Sequence, residues 1–441
     1  MKSSPTYIAS YEDAVAFLDA RIGAGIKPGL ERIFGLLEYL GDPQTTIPVI
    51  HVAGTNGKST TVGMVGALLS GLDLRVGTFV SPHLHHVEER YAINSTPIDR
   101  DQFVQAVADV APFCDIYEDA SGEKVSYFEL TTAIAFQLFA AEGLDVAVVE
   151  VGLGGRWDAT NVVDAAVSVV TGISLDHQAV LGSTIAEIAA EKVAILKDGG
   201  TLVTGPMPAA ADGAATAQVS QTSAQWYRFG DDFDVEGLER VPTGWLVDVR
   251  GLHEVYTDLR LNLHGRHQTA HLATAVAVTE VFLDRELPGD LIIAAVESIR
   301  APGRSEVVFH EPLVLIDGAH NEEGLDGLAT TMSQEFPAIS AWTLVIGVRG
   351  DRDPEPMIRA LGEGIVRVIA CAPDDPQALG TDVVSAAAAR VVGDDNVSVA
   401  DTVADALKAA IEGAEKHEGI VVAGSLYVAG EARTALGLAP P

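Results

Sequence analysis

The chain has 441 residues, of which 48% are hydrophobic, with a formal net charge of −34 and two cysteines. That length favours two cores over one, and the charge argues against nucleic acid or an anionic membrane as a partner. No run of about 18 uncharged apolar residues suggests a membrane span, and the opening MKSSPTYIASYEDA lacks the apolar stretch of a secretory signal.

The negative charge is spread along the chain rather than gathered in a tail, and reads as a strongly solvated surface suited to a salty cytoplasm. Cys114 and Cys371 stand far apart without a partner motif, as expected of ordinary thiols in a cytoplasmic protein.

Apolar runs of strand length alternate with helical patterns, the signature of a parallel sheet wound with helices. IPVIHVA (47–53) predicts a strand, followed by a glycine loop and a helix through TVGMVGALLSGL. RVGTFV (75–80) predicts the next strand and leads into SPHLHHVEER. LDVAVVEV (144–151) and AAVSVVTGI (165–173) are near-continuous apolar runs, as strands covered on both faces should be. From Trp226 to Leu263 the pattern changes: WYRFG, WLVDVRG and VYTDLRLNL predict short antiparallel strands, and HQTAHLATAVAVTEVFL a helix. IRAPGR (299–304) carries a Pro-Gly break. Beyond it, VLIDGAHN, TLVIGVRGD, VRVIACAPD and IVVAGSLYV are four further strand-to-loop transitions. The predicted fold is α/β. A P-loop-type doubly wound sheet domain with a small antiparallel β subregion spans residues 1–298, and a smaller Rossmann-like α/β domain spans 299–441.

VIHVAGTNGKSTT (49–61) places a glycine loop between strand and helix, where backbone N–H groups and the helix dipole hold an anion. Val52 stands where the usual phosphate-loop pattern has its first glycine. Lys58 suits the β/γ-phosphates, and two hydroxyls, Ser59 and Thr60, compete to face Mg²⁺. Ligands of an open parallel sheet collect beyond the carboxyl ends of its strands, which singles out Glu150 after LDVAVVE, and Asp176 and His177 in ISLDH. In STIAEIAAEKVAIL, Thr184 and Glu187 form a capping box, and Lys192 beside Glu191 reads as part of a solvated helix face. The glycines of EVGLGGRWDATN permit close approach of a ligand that Arg156 and Asp158 could position. HLHH (83–86) has no accompanying carboxylate or cysteine set, so its histidines read as incidental. In PGRSE and DGAHN, Arg304 can pair with phosphate oxygens and Asp317 can accept ribose hydroxyls; a linker arginine and a turn aspartate explain them equally well.

Taken together, GLERIFGLLEYLG, HVAGTNGKSTT, SPHL…ER, SYFELTTAIAF, EVGLGGRWDATNV, LDHQAVLGSTIAEIAAEK, GRHQ, PGRSE, DGAHN and GSLYVAGEAR resemble the folylpolyglutamate synthase/dihydrofolate synthase family, relatives of the Mur ligases. They run in family order from about residue 29 to 433. The family's loop also lacks the first glycine, and its gap-free alignment favours Thr60 over Ser59 as the metal-facing hydroxyl. The resemblance implies ATP contacts at Thr55, Asn56, Gly57, Lys58, Ser59, Thr60, Arg304, Asp317 and His320, with His271 at a further ATP-contacting position. It implies metal ligation by Thr60, Ser81, Glu150 and His177, and catalytic roles for Lys58, Glu150, His177 and Lys192. Lys192 matches a lysine that CO₂ can carbamylate, supporting a second ion beside Mg²⁺, with K⁺ a candidate. The pterin side implied is Gly25, Ile26, Lys27 and Pro28, Ser126, Tyr127, Phe128 and Glu129, and Trp157, Asp158 and Ala159. Departures are His271-Leu272 for Asn-Ala, EKVAI for E-K-A-G-I, DRD (351–353) for D-K-D, and Glu322 for a proline.

The activity implied is ATP-dependent addition of L-glutamate to dihydropteroate, to reduced folates, or to both, through an acyl phosphate. The expected protein is a cytoplasmic monomer with small-molecule partners and no nucleic acid or membrane. Two rivals remain: a lapsed paralogue that binds nucleotide or folate, kept alive by His271, and a Mur-type peptidoglycan ligase. The latter has a nucleotide-sugar domain before the loop, where this chain has only about 50 residues.

Overall fold

Two parallel sheets, each with its glycine-rich loops at the carboxyl ends of the strands, organise the molecule. The computed structural model describes residues 6–23, 28–350 and 352–438. The first sheet holds β1 (Val49–Ala53), β2 (Val76–Phe79), β3 (Tyr91–Ile93), β4 (Thr96–Pro97), β5 (Val146–Glu150), β6 (Val167–Val170), β7 (Thr201–Thr204) and β8 (Gln225–Arg228). Its order is β4-β3-β2-β5-β1-β6-β7-β8. From β2 to β8 neighbouring strands run parallel, and β3 and β4 close one edge antiparallel.

The apolar runs explain the centre of this sheet. All five residues of β1 and of β5 are buried, which requires cover on both faces. One face packs under the helices Tyr11–Asp19, Glu31–Tyr39, Arg100–Ser121 and Tyr127–Glu142. The other packs largely under Lys58–Gly71 and His267–Leu283. Because β1 lies between β5 and β6, the loops leaving these three strands are neighbours.

A second, antiparallel sheet of three strands comprises β9 (Asp234–Val241), β10 (Gly244–Arg250) and β11 (Val255–Leu261). Its Trp245, Val247, Leu259 and Leu261 pack into the core beneath helix His267–Leu283. Here the structure corrects the sequence reading. WYRFG does not belong to this subregion: Gln225–Arg228 is β8, an edge strand pairing parallel with β7. The missed partner is DVEGLERV, half exposed along its length and therefore without the apolar run that marks a buried strand.

The third sheet holds β12 (Glu306–His310), β13 (Leu313–Ile316), β14 (Ala341–Ile346), β15 (Ile365–Ala370), β16 (Val397–Val399) and β17 (Glu418–Ala423), in the order β12-β13-β17-β14-β15-β16. All pairs are parallel except β12 with β13. Two apolar clusters cover its faces. Cys114 and Cys371 are both buried. Among the described residues, no helix is long and apolar enough to cross a membrane.

Candidate active site

The adjacent tips of β5, β1 and β6 face the adjacent tips of β13, β17 and β14 across a cavity of about 630 Å³, a volume that suits a nucleotide-sized ligand. The phosphate loop leaves β1. Gly57 sits in the left-handed region at φ 80° and starts helix Lys58–Gly71, so the first N–H groups of that helix face the cavity. A side chain at 57 would collide with the His271 ring, whose Cε1 lies 2.2 Å from the position a Cβ would take. Lys58 Nζ donates to the Gly54 and Thr55 carbonyls, each at 3.1 Å.

Glu150, at the end of β5, is 1% exposed. Its carboxylate accepts from Ser59 Oγ at 3.1 Å and from the Ser81 N–H at 3.2 Å. Burial raises its pKa, while Lys58, these two hydrogen bonds and Arg304 oppose the shift. Its direct donors are neutral, and the charges near it, Lys58 and Arg304, make no ion pair with it among the described residues. This carboxylate with the Ser59 hydroxyl suits Mg²⁺, which takes one or two carboxylates and completes its shell with phosphates and water. His177 lines the same cavity, its Nε2 3.5 Å from Arg352 Nη2 and 3.8 Å from Asp176 Oδ1. Among the described residues no three His, Cys, Asp or Glu side chains gather as a metal cluster. The preference for Thr60 meets a different geometry: the hydroxyl on Glu150 is that of Ser59, directly after the lysine, while Thr60 is a buried residue of the same wall.

Lys192 departs most from its sequence reading. It is 4% exposed, and its Nζ donates to the Gly54 carbonyl at 2.8 Å, the carbonyl that also takes Lys58. Burial, then the Lys58 charge, lower its pKa to about 7. The solvated partner of Glu191 is instead Arg156, at 2.9 Å. Helix periodicity agrees with the buried position: Ile188, Ala189, Lys192 and Val193 form one covered face of Ile185–Val193, while Glu191 lies off it. The capping box is formed, with Glu187 N on Thr184 Oγ1 at 3.2 Å and Thr184 N on the Glu187 carboxylate at 3.0 Å.

From the second lobe, Arg304, Asp317 and His320 line the cavity. Asp317 is largely engaged by its own loop, accepting from Ser305 N at 2.6 Å, Ser305 Oγ at 2.9 Å and Ala319 N at 2.7 Å. His320 Nδ1 lies 2.9 Å from the Gly318 carbonyl, and burial lowers its pKa. His271 has a buried Nδ1 without a partner among the described residues, and burial, His267 and Arg304 lower its pKa to about 3.

Sequence reasoning missed how the lobes join. Asn321 Nδ2 donates to Asp176 Oδ2 at 2.9 Å and to Asn56 Oδ1 at 3.2 Å, while Asn56 Nδ2 donates to Glu323 at 2.6 Å. Arg352 makes an ion pair with Asp176. Burial pushes the Asp176 carboxyl up, but Arg352, His177 and Asn321 together hold it well below the usual carboxylate range. These partners are separated by 145 to 267 positions, a distance over which no local pattern carries a signal.

All the residues implied for phosphate, metal and nucleotide line this one cavity: Thr55–Thr60, Ser81, Glu150, His177, Lys192, His271, Arg304, Asp317 and His320. The described residues implied for the pterin side are not part of its lining. Ser126 and Glu129 form the capping box of helix Tyr127–Glu142, and Glu129 pairs with Arg32 at 2.9 Å. Phe128 packs against Gly152, Tyr127 lies beneath Arg90, and Trp157 and Pro28 are exposed. Asp158 and Ala159 are buried. Gly25, Ile26 and Lys27 lie outside the described residues, as does Asp351 of the DRD stretch.

A phosphate loop on one sheet, closed by a second parallel sheet, defines an ATP-dependent ligase of the Mur type. The Mur ligase middle domain matches residues 52–279, and the Mur ligase glutamate ligase domain matches 303–426. The dihydrofolate synthase/folylpolyglutamate synthase of Mycobacterium tuberculosis is 36% identical over 99% of this chain and 96% of its own. The structure of the folylpolyglutamate synthase from the same organism with ADP and AMPPCP superposes with a TM-score of 0.93 at 36% identity, covering 98% of this chain and 100% of that one. A folylpolyglutamate synthase–AMPPCP–folate complex superposes at 0.84 with 31% identity, over 97% and 100%. The chain belongs to the dihydrofolate synthase/folylpolyglutamate synthase family.

Proposed function

We propose that this ligase adds L-glutamate to the carboxylate of dihydropteroate and of reduced folates, with ATP cleaved to ADP and phosphate. The carrying observation is the Ser59–Glu150 hydrogen bond of 3.1 Å, which brings a buried carboxylate against the phosphate loop. The full-length likeness to enzymes named for both activities supports the same reading.

Thr55–Thr60 would cradle the triphosphate, with Lys58 leaving its loop carbonyls for the β/γ-oxygens. The acceptor carboxylate then attacks the γ-phosphorus; its oxygen forms the new P–O bond as the bond to the β-bridging oxygen breaks and ADP leaves. The α-amine of glutamate adds to the acyl carbon, phosphate departs, and the amine proton passes to solvent. Two anions meet in the first step, so charge neutralisation dominates. Mg²⁺ bound by Ser59, Glu150 and His177 would supply part of it as a Lewis acid. Closure across Asp176–Arg352 and Asn56–Glu323 keeps water from the acyl phosphate.

Lys192 acts as a carbamate in this reading. Its neutral amine adds to CO₂ and loses a proton, turning a buried cation into a carboxylate that could hold a second ion, with K⁺ a candidate. The depressed pKa supports it, because only the free amine reacts.

The test is ATP-dependent phosphate release with glutamate plus dihydropteroate or tetrahydrofolate. Release with both supports a bifunctional enzyme. Release with one assigns a single acceptor, and release with neither overturns the reading.

A further inference from the structure

His51 has no part in the chemistry above, yet it occupies the middle of β1, three residues before the phosphate loop, with 0% exposure. A buried imidazole costs solvation unless its nitrogens find partners. Its Nε2 lies 2.7 Å from Thr160 Oγ1, and Thr160 Oγ1 lies 2.5 Å from Asp158 Oδ1. Asp158 also accepts from Thr160 N at 3.0 Å and Leu153 N at 2.8 Å. With Asp158 ionised, the carboxylate accepts from the threonine hydroxyl, whose oxygen accepts from His51 Nε2–H. Burial raises the Asp158 pKa, and its hydrogen bonds from Thr160, Leu153 and Gly152 oppose the shift. His51 Nδ1 is the bare nitrogen and has no partner among the described residues. Burial favours the neutral ring this order requires.

The tied segment, 152–161, touches three parts of the site. It follows Glu150 closely. A Cβ on Gly152 would lie 2.5 Å from Phe128 Cζ, and one on Gly155 2.5 Å from the Glu191 carbonyl and 3.0 Å from Lys192 Cα. Arg156 N donates to the Glu191 carbonyl at 3.0 Å. Gly152, Leu153 and Gly154 form cavity wall. A shift of this loop would reach first the wall beside Lys192, which meets the phosphate loop through the Lys192 Nζ–Gly54 carbonyl hydrogen bond of 2.8 Å.

We propose that His51, Thr160 and Asp158 form a positioning relay that pins the 152–161 loop to β1 and so sets where the acceptor carboxylate sits relative to the nucleotide. The inference rests on the ligase reading above, and it concerns acceptor placement alone.

Thr160→Val keeps the shape of the side chain and removes both hydroxyl contacts. Its KM for the folate acceptor should rise roughly tenfold or more and kcat should fall, as expected when a reactant is misplaced by a fraction of an ångström. The Kd for AMPPCP should stay within about twofold, and Thr160→Ser should restore most of the acceptor KM. His51→Leu, which breaks the relay at its other end, should repeat the split, guarding against a folding defect peculiar to the Thr160→Val change. An unchanged acceptor KM overturns the relay. So does a parallel loss of acceptor binding, nucleotide binding and melting temperature, which would make it a structural contact only. Lack of phosphate release by the wild-type enzyme with any folate acceptor would instead overturn the ligase reading.

Discussion

The two parallel sheets present the same device, three adjacent strand tips, and use it differently. At β5, β1 and β6 the tips carry ionisable groups buried for chemistry: Glu150 at 1% exposure and Asp176 at 6%, with Lys192 at 4% packed beneath the loop. At β13, β17 and β14 the polar groups mostly fasten their own loops or reach across. Asp317 binds Ser305 and Ala319, Ser425 caps helix Leu426–Ala435, and Asn321 and Arg352 engage Asp176. One lobe thus holds buried ionisable groups, Glu150 with no ion pair among the described residues and Asp176 paired from across the cleft by Arg352, and the other closes over them. Buried unpaired charge is expensive, so it belongs where binding repays the cost.

If that division holds, the lobes should respond differently to single changes. Lys58→Ala should lower kcat by on the order of 10³-fold with the fold intact, because the cation meets charge that develops only in the reaction; phosphate release and far-UV circular dichroism read the two quantities. Substantial residual turnover would break the assignment of chemistry to the β1 tip.

Lys192 sharpens it further. With its pKa near 7, the amine is mostly protonated at pH 6 and mostly free at pH 8. At fixed CO₂ pressure, carbamate and turnover should therefore rise together across that window, seen by carbon-13 NMR with labelled bicarbonate. Lys192→Ala should flatten the profile and lower kcat by roughly 10²-fold. A pH-independent wild type without a carbamate signal would return Lys192 to a purely structural role.

The smallest effect belongs to the closing lobe. Arg352→Ala removes one clasp on Asp176 while Asn321 remains, so kcat/KM should fall about tenfold, chiefly through KM. Small-angle scattering should report a larger radius of gyration. A loss as deep as that of Lys58→Ala would place chemistry in this lobe too.

Much of this is legible before folding. The apolar runs of β1, β5, β14 and β17 are strands buried on both faces, and a glycine loop between strand and helix has few other uses. Polar strand tips then follow from where parallel sheets bind ligands. Other features are hidden for local reasons. S-x-x-E at Ser126–Glu129 has the spacing of a capping box, a role the structure gives it beside the pterin-side position that the family likeness of SYFE implies. The same spacing at Thr184–Glu187 reads directly as a helix start. The half-exposed β9 gives no apolar signal, so the neighbouring aromatic run of β8 stands in for it in the sequence.

The amino-acid order alone determined most element types and the phosphate loop, because those depend on spacing along a few turns of backbone; the full set of groups expected to hold nucleotide and metal came from the family resemblance. Only the tertiary structure decided that Ser59 rather than Thr60 meets Glu150, that Lys192 is buried against Gly54, and that Asp176 is held by Asn321 and Arg352. Each of those depends on solvent exclusion and on contacts between residues far apart in the chain, which no stretch of sequence encodes by itself.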